Sequence, residues 1–281
     1  MSIRAIDYAS TEEILIAKAL IRARLNVEPL AAYPGLEPIN LTTAYRIQDC
    51  AIDHWPELIG GWKVSSPIPI DRAPQFGGSQ MMGPIFSSAI RTAPLSAEVD
   101  YGVFPGGSSA LEPEIIVRIG QDVPAEKLDW TIEEAGEFIS DLYIGAEILS
   151  SPLRGLLQMT IPIVASDFGG NAGILVGSRL SDWQAQDRVT VDVCLEGEAV
   201  ERGEVSVKDG PLASLAFVLG QAASRGRPLL AGTMVATGTM TRAHKVEPGQ
   251  YACLTFHGLG EIRCRAVEER SPRELALFQG E

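Results

Sequence analysis

Three carboxylates and one amine are the residues best placed to do chemistry. In Leu111-Glu112-Pro113-Glu114-Ile115-Ile116-Val117 two glutamates stand two residues apart in an otherwise apolar run. A strand alternates its side chains, so Glu112 and Glu114 share one face, while Leu111, Ile115, Val117 and Ile119 line the other and must be buried. Ile116 continues the glutamate face, so that face is not plainly turned to water. Adjacent carboxylates repel unless a cation sits between them, and hard ions such as Mg2+ or Mn2+ take oxygen ligands of this kind. The alternative is an amphipathic strand carrying two solvated glutamates, a common arrangement. Glu147 is the lone charge of Leu142-Tyr-Ile-Gly-Ala-Glu147-Ile-Leu149. A charge there is costly unless an arginine, such as Arg154, or a metal ion satisfies it. Lys63 follows Gly60-Gly61-Trp62. Burial between Trp62 and Val64 would lower its pKa and suit it to proton transfer, whereas a stem laid along the surface would leave the ammonium in water.

The elements that must position these groups read as an α+β fold. Ser10 with Glu13 forms a capping box, and Ile14, Ala17, Leu20, Ile21 and Leu25 follow at helical spacing. Pro29, Pro34, Gly35 and Pro38 end that helix. Thr42 or Thr43 caps a second, with Ala44, Ile47 and Ala51 on one face. Residues 60–110 are rich in Gly, Pro and Ser with short strand-like pieces, and long loops of this kind often carry function. Beyond them the pattern predicts a strand over Leu111–Ile119 and a helix from the Thr131/Glu134 cap to about Ile144. Strands come next over Gly173–Gly177 and Val189–Leu195. A helix opens at Pro211 and closes at Gly226. The last strands are Thr233–Thr237, Tyr251–Phe256 and Glu261–Val267. The division expected is a helical segment over 1–58 and a β-rich catalytic core over 59–281.

With 46% hydrophobic and 21% charged residues, the 281-residue chain has the mixture of a folded domain with a sizeable core. Its net charge of −13 disfavours nucleic acid and anionic lipid as partners. Cys50, Cys194, Cys253 and Cys264 show no C-x-x-C spacing, which fits reduced thiols and a cytoplasmic location. The opening Met1–Asp7 lacks a signal-peptide core, and no apolar run reaches the roughly 20 residues a membrane helix needs. G-x-S-x-G, H-E-x-x-H and phosphate-loop patterns are absent. The histidines, His54, His244 and His257, are too scattered for a metal site, and only His244 merits watching.

Glu112-x-Glu114 followed by Ala146-Glu147-Ile148 resembles the metal triad of the fumarylacetoacetate hydrolase superfamily. More narrowly it is similar to the branch of 2-keto-4-pentenoate hydratases, 2-oxohepta-3-enedioate hydratases and 4-oxalocrotonate decarboxylases. Ala44-Tyr45-Arg-Ile-Gln48, Gly61-x-Lys63-Val64, Asp167-x-x-x-Asn171-Ala-Gly173 and Val235-x-Thr237-Gly238-Thr239 before Pro248-Gly249 match in the same order. The resemblance implies a mixed β-roll core, a small helical N-terminal segment and homo-oligomers. It implies Mg2+ or Mn2+ on Glu112, Glu114 and Glu147. Lys63 would be the catalytic proton carrier, and backbone groups around Gly238 and Thr239 would hold the substrate carboxylate. The substrate would be a 2-oxo acid or its 2-hydroxydienoate enol from aromatic-compound breakdown, hydrated by way of a metal-stabilised enolate. A decarboxylase is the nearest alternative, followed by an acylpyruvate C–C hydrolase and by a non-catalytic scaffold.

Departures from the branch's pattern fall in segments expected to line the pocket. Met81 stands where an aspartate is usual, Asp167-Phe168-Gly169-Gly170 replaces Asp-Asn-Ala-Ser, and Ser151-Pro152 replaces a Ser-Arg pair. These changes put Met81, Phe168 and Gly170 among the expected substrate-binding residues. They point to a bulkier or more apolar substrate, or to a reaction that needs no similarly activated water.

Overall fold

The computed structural model describes residues 9–67, 79–95 and 97–271; the opening Met1–Asp7 lies outside them. Helix α1 (Thr11–Asn26) starts at Ser10, whose side chain forms the expected capping box with Glu13. Helix α2 (Leu41–His54) is capped by Asn40 rather than Thr42 or Thr43. Asn40 has the extended backbone of a cap, and its Oδ1 accepts from the Thr43 N–H at 2.9 Å.

Beyond α2 the chain is mostly strand. β1 (Ile59–Val64), β2 (Met82–Phe86), β3 (Ile90–Thr92) and β4 (Val99–Val103) precede the long β5 (Ser108–Ile119). A single turn, α3 (Ile132–Gly136), then leads into β6 (Ile139–Ser151). The helix expected to reach Ile144 therefore ends eight residues sooner. Gly136 and Gly145 are poor helix residues, and Ile139, Tyr143 and Ile144 are better served by pairing with β5, where Ile144 faces Ile115. Next come α4 (Ile161–Ser166), β7 (Asn171–Arg179), β8 (Arg188–Leu195) and β9 (Glu198–Ser206). Helix α5 (Ala213–Ser224) begins two residues after Pro211, which sits in a wide turn closed by Leu212 N–H on the Val207 carbonyl. The last described strands are β10 (Met234–Ala236), β11 (His244–Lys245), β12 (Tyr251–Phe256) and β13 (Gly260–Glu268).

The larger sheet runs β2-β1-β10-β5-β6-β7-β3, with β11 also on β5, and the smaller runs β4-β13-β12-β8-β9. The fold is thus mixed α/β with a curled, strand-dominated core. Both faces of the larger sheet are covered. Leu111, Ile115 and Val117 enter the main core, while Ile116 joins Ile85, Ile174, Val176 and Ala236 in a second cluster. Residues Ser108–Val117 of β5 are accordingly all buried, glutamates included. Tyr45 and Gln48 tie α2 to β2: the Tyr45 hydroxyl accepts from Met82 N–H, and Gln48 Nε2 donates to the Met82 carbonyl. That fixes the strand lying beside Lys63. Among the described residues no helix is long and apolar enough to cross a membrane, and all four cysteines are free.

Candidate metal centre

The β5–β6 register places Glu112 directly opposite Glu147, and Glu114 opposite Gly145. One carboxylate oxygen from each glutamate lies within 4.8 Å of the others. Glu114 and Glu147 are fully buried and Glu112 is 9% exposed. Like charges directly opposite each other destabilise a sheet, so the cluster asks for a cation. Neighbouring strands supply part of the answer. Past the end of β10, the Gly238 N–H donates to Glu114 Oε2 at 2.9 Å. At the start of β7, Asn171 Nδ2 donates to Glu147 Oε1 at 3.0 Å. The curl of the sheet lets Lys63 reach across from β1, bringing its Nζ to 3.1 Å from Glu147 Oε2.

The electrostatics are set by burial. Burial first, then the Glu147 charge, pushes the Glu112 carboxyl up to about 7 despite Lys63. The same causes, with Glu112 added, hold Glu114 well above the usual carboxylate range. For Lys63 burial alone would lower the pKa, as its sequence neighbours suggested. The charges of Glu147, Glu112 and Glu114 more than offset this and raise it above the ordinary lysine value. Lys63 is therefore a buried ammonium that keeps its proton, not a depressed base. Once all three carboxylates are deprotonated, they leave two negative charges against the one ammonium. Glu114 Oε1 accepts no hydrogen bond, and Glu147 Oε2 has only the Lys63 ammonium beside it. Hard oxygen donors, an orphaned buried oxygen on Glu114 and an excess of negative charge fit a divalent cation. Arg154 is not involved: it is turned outward, its Nε donating to the Gly106 carbonyl.

No family model matches the chain. A 4-oxalocrotonate decarboxylase of Pseudomonas putida is 34% identical over 124 residues, 43% of this chain and 47% of that protein, so the match spans about half the curated relative's length. The structure of 4-oxalocrotonate decarboxylase from Pseudomonas putida G7, complexed with magnesium and adipate, superposes with a TM-score of 0.75 at 22% identity, covering 92% of this chain and 98% of that one. The chain thus shares the fold of that enzyme over nearly its whole length. A fumarylpyruvate hydrolase from Pseudomonas aeruginosa, in complex with Mn2+ and pyruvate, shares the fold more distantly, with a TM-score of 0.55 at 19% identity over 78% of this chain and 94% of that one.

In this chain the three glutamates and Lys63 come together, but the expected substrate-binding residues divide. Lys63, Glu112, Glu114, Met81 and Thr239 line one cavity of about 320 Å3. Gly170 lies behind its wall, where an added Cβ would stand 2.8 Å from Leu156 Cδ2. Phe168 does not line it. A left-handed backbone (φ 54°) turns the ring edge-on against Trp55 and Phe86, under the Arg24 guanidinium. The Gly238 N–H is also not free for a substrate carboxylate, because Glu114 takes it. His244 is buried, near Thr241 Oγ1 and Glu201, outside this cavity.

Sequence reasoning passed over Arg24. Its Nε donates to Asp167 Oδ1 at 2.6 Å, and its terminal nitrogens donate to the carbonyls of Asp167 and Asn171. Ser151 Oγ donates to the other Asp167 oxygen. The signal was present: Ala17, Leu20, Ile21 and Arg24 fall on one helix face, and an arginine on an apolar face needs a buried acceptor.

Proposed function

We propose that this chain is a divalent-cation-dependent decarboxylase acting on an unsaturated 2-oxo diacid. The observation that carries the reading is the buried Glu112, Glu114 and Glu147 cluster, with Lys63 beside it, next to a cavity that Lys63, Glu112 and Glu114 line. The similarity to 4-oxalocrotonate decarboxylases supports loss of CO2 over the hydration that sequence reasoning placed first. The adipate bound by the Pseudomonas putida G7 enzyme supports a six-carbon diacid as ligand. The hydrolase alternative has less support, since His54 is exposed in α2 and its Nδ1 is occupied by the Cys50 carbonyl.

Glu112, Glu114 and Glu147 would hold Mg2+ or Mn2+, with Asn171 and Gly238 fixing the orientation of two of them. A bound divalent ion supplies the charge that polarises the 2-oxygen and orients the keto acid end. Lys63 keeps a proton at Nζ and presents it to that oxygen as negative charge gathers there, which makes it the general acid. Met81, Leu149 and Leu156 exclude water from the space beside it, so that the proton goes to oxygen rather than to solvent.

The test is product analysis with an unsaturated six-carbon 2-oxo diacid and Mg2+. Stoichiometric CO2 and a 2-hydroxydienoate are expected, with release falling by about 100-fold or more in Lys63→Ala. Addition of water to a 2-hydroxydienoate with no CO2 from any diacid would reverse the assignment.

A further inference from the structure

Lys63 has to present its proton at one place, yet a lysine stem is long and flexible. Two glycines bring a backbone brace against this buried stem. On β2, Gly83 pairs directly with Lys63, and side chains directly opposite on paired strands leave the same face. Having no side chain, Gly83 leaves a slot beside the lysine, and the peptide joining Phe168 to Gly169 fills it. A Cβ on Gly83 would run into the Phe168 carbonyl oxygen and stand 2.9 Å from the Gly169 nitrogen. Gly169 in turn lies against the lysine, where a Cβ would stand 3.1 Å from Lys63 Cδ and 3.3 Å from Cε. The turn that brings this peptide in is left-handed throughout, with φ of 54° at Phe168, 69° at Gly169 and 71° at Gly170. A phenylalanine keeps such a backbone only where its surroundings hold it there. The holding groups are Trp55 and Phe86, each edge-on to the Phe168 ring, and the Arg24 guanidinium 5.2 Å from the ring centroid. The Gly170 N–H closes the turn on the Asp167 carbonyl at 2.8 Å. Neither Phe168 nor Gly169 lines the cavity beside the glutamates.

We propose that the left-handed Phe168–Gly169 turn is a brace for Lys63, which makes Phe168 and Gly169 positioning residues for its proton transfer. The inference rests on the reading of Lys63 as the proton donor. One segment then holds both members of the Lys63–Glu147 pair. Gly169 backs the lysine stem, and two residues on, Asn171 Nδ2 donates to Glu147 Oε1. The Phe168 ring acts at one remove: its packing keeps φ positive, and the backbone passes that constraint to Gly169. The site needs a bare backbone there, because any side chain at position 169 would displace the stem from the line on which its proton is delivered.

Two variants test the brace. Gly169→Ala adds a methyl group against the stem. Phe168→Leu removes the ring contacts and adds nothing beside Lys63, so it carries the test if the first variant does not fold. With an unsaturated six-carbon 2-oxo diacid and Mg2+, kcat for CO2 release should fall by about 10-fold in each, as a small misplacement of a reacting group allows. The solvent deuterium isotope effect on kcat should rise, because proton delivery is the step impaired. Calorimetry should show Mg2+ binding with unchanged stoichiometry and Kd, which separates this loss from partial unfolding. A fall in kcat with an unchanged isotope effect overturns the inference. So does a Mg2+ affinity that falls as far as kcat, or a kcat unchanged in both variants. A crystal structure of either variant should show Lys63 Nζ displaced from its place 3.1 Å from Glu147 Oε2. An unmoved Nζ overturns the inference whichever reaction the protein runs. Wild-type protein that releases no CO2 from any diacid, or Lys63→Ala that keeps wild-type kcat, sinks the underlying reading instead, and shows it before either variant is made.

Discussion

Two buried charge clusters lie side by side in this protein, and they are finished to different degrees. Around Arg24 the accounting closes. Three guanidinium N–H groups have acceptors, and both carboxylate oxygens of Asp167 have donors, Arg24 and Ser151. Around Glu147 it does not: Glu114 Oε1 accepts no hydrogen bond, Glu147 Oε2 has only the Lys63 ammonium, and carboxylates outnumber ammonium groups three to one. Asn171 belongs to both, its carbonyl accepting from Arg24 while its side-chain amide donates to Glu147. Burial of charge is thus no mark of function in itself. The closed cluster holds the Asp167–Asn171 segment in place, and the open one is built to be completed by a ligand.

The sharpest way to break this contrast is to remove a charge from each cluster. Glu147→Gln should abolish calorimetric binding of Mg2+ or Mn2+. Losing a ligand must exceed the roughly 10- to 100-fold that outer partners of a metal site are worth. Its denaturation midpoint should fall less than that of Arg24→Ala, because the loss of the Lys63 partner is partly offset by relief of the like-charge pair across β5 and β6. Arg24→Ala should do the reverse. Leaving Asp167 buried and unpaired costs about 3–5 kcal/mol, read in urea unfolding. If Glu147→Gln unfolds the protein and Arg24→Ala does not, the two clusters have been assigned the wrong way round.

Asn171→Ala tests the bridge between them. The Asn171 main-chain carbonyl still serves Arg24, so stability should change little. Divalent affinity should fall by about 10- to 100-fold, since the amide orienting Glu147 is gone. A variant that loses stability but keeps its affinity would make Asn171 part of the closed cluster only.

The contrast also explains what could be read in the sequence. Strand alternation was enough to put Glu112 and Glu114 on one face, and a lone charge in an apolar run was enough to single out Glu147. Their meeting was not derivable from local pattern, because β5–β6 register is a long-range choice and a slip of one residue would turn Glu147 to the other face. Lys63 shows the same limit. Its neighbours Trp62 and Val64 announce burial and hence a lowered pKa, but the charges that reverse the sign come from two other strands. Phe168 was placed in the pocket by its position in a motif. The positive φ that swings its ring away is unusual for a residue with a side chain and is carried by the packing of Trp55, Phe86 and Arg24. Tyr45 and Gln48 were matched as a motif, and the structure supplies the reason, since both hold the Met82 backbone beside Lys63.

The smallest effect is the pH dependence of metal stabilisation, and it belongs to the open cluster. Glu112 has its pKa raised by burial and by Glu147, from 4.5 to about 7, and Glu114 is raised well above 4.5 by the same causes. The folded metal-free protein thus binds these protons more tightly than the unfolded chain does. That contribution to stability is fully present below pH 4.5 and is lost as pH rises through about 7. Lys63, also raised, keeps its contribution throughout this window. A divalent ion competes with the protons and binds the deprotonated carboxylates, so its stabilising effect must grow as the protons leave. Thermal unfolding with and without Mg2+ should show a larger rise in Tm at pH 8 than at pH 5.5, by about 2–4 °C for each kcal/mol regained. A rise that is equal at both pH values, or larger in acid, would mean that the ion binds somewhere other than these three glutamates.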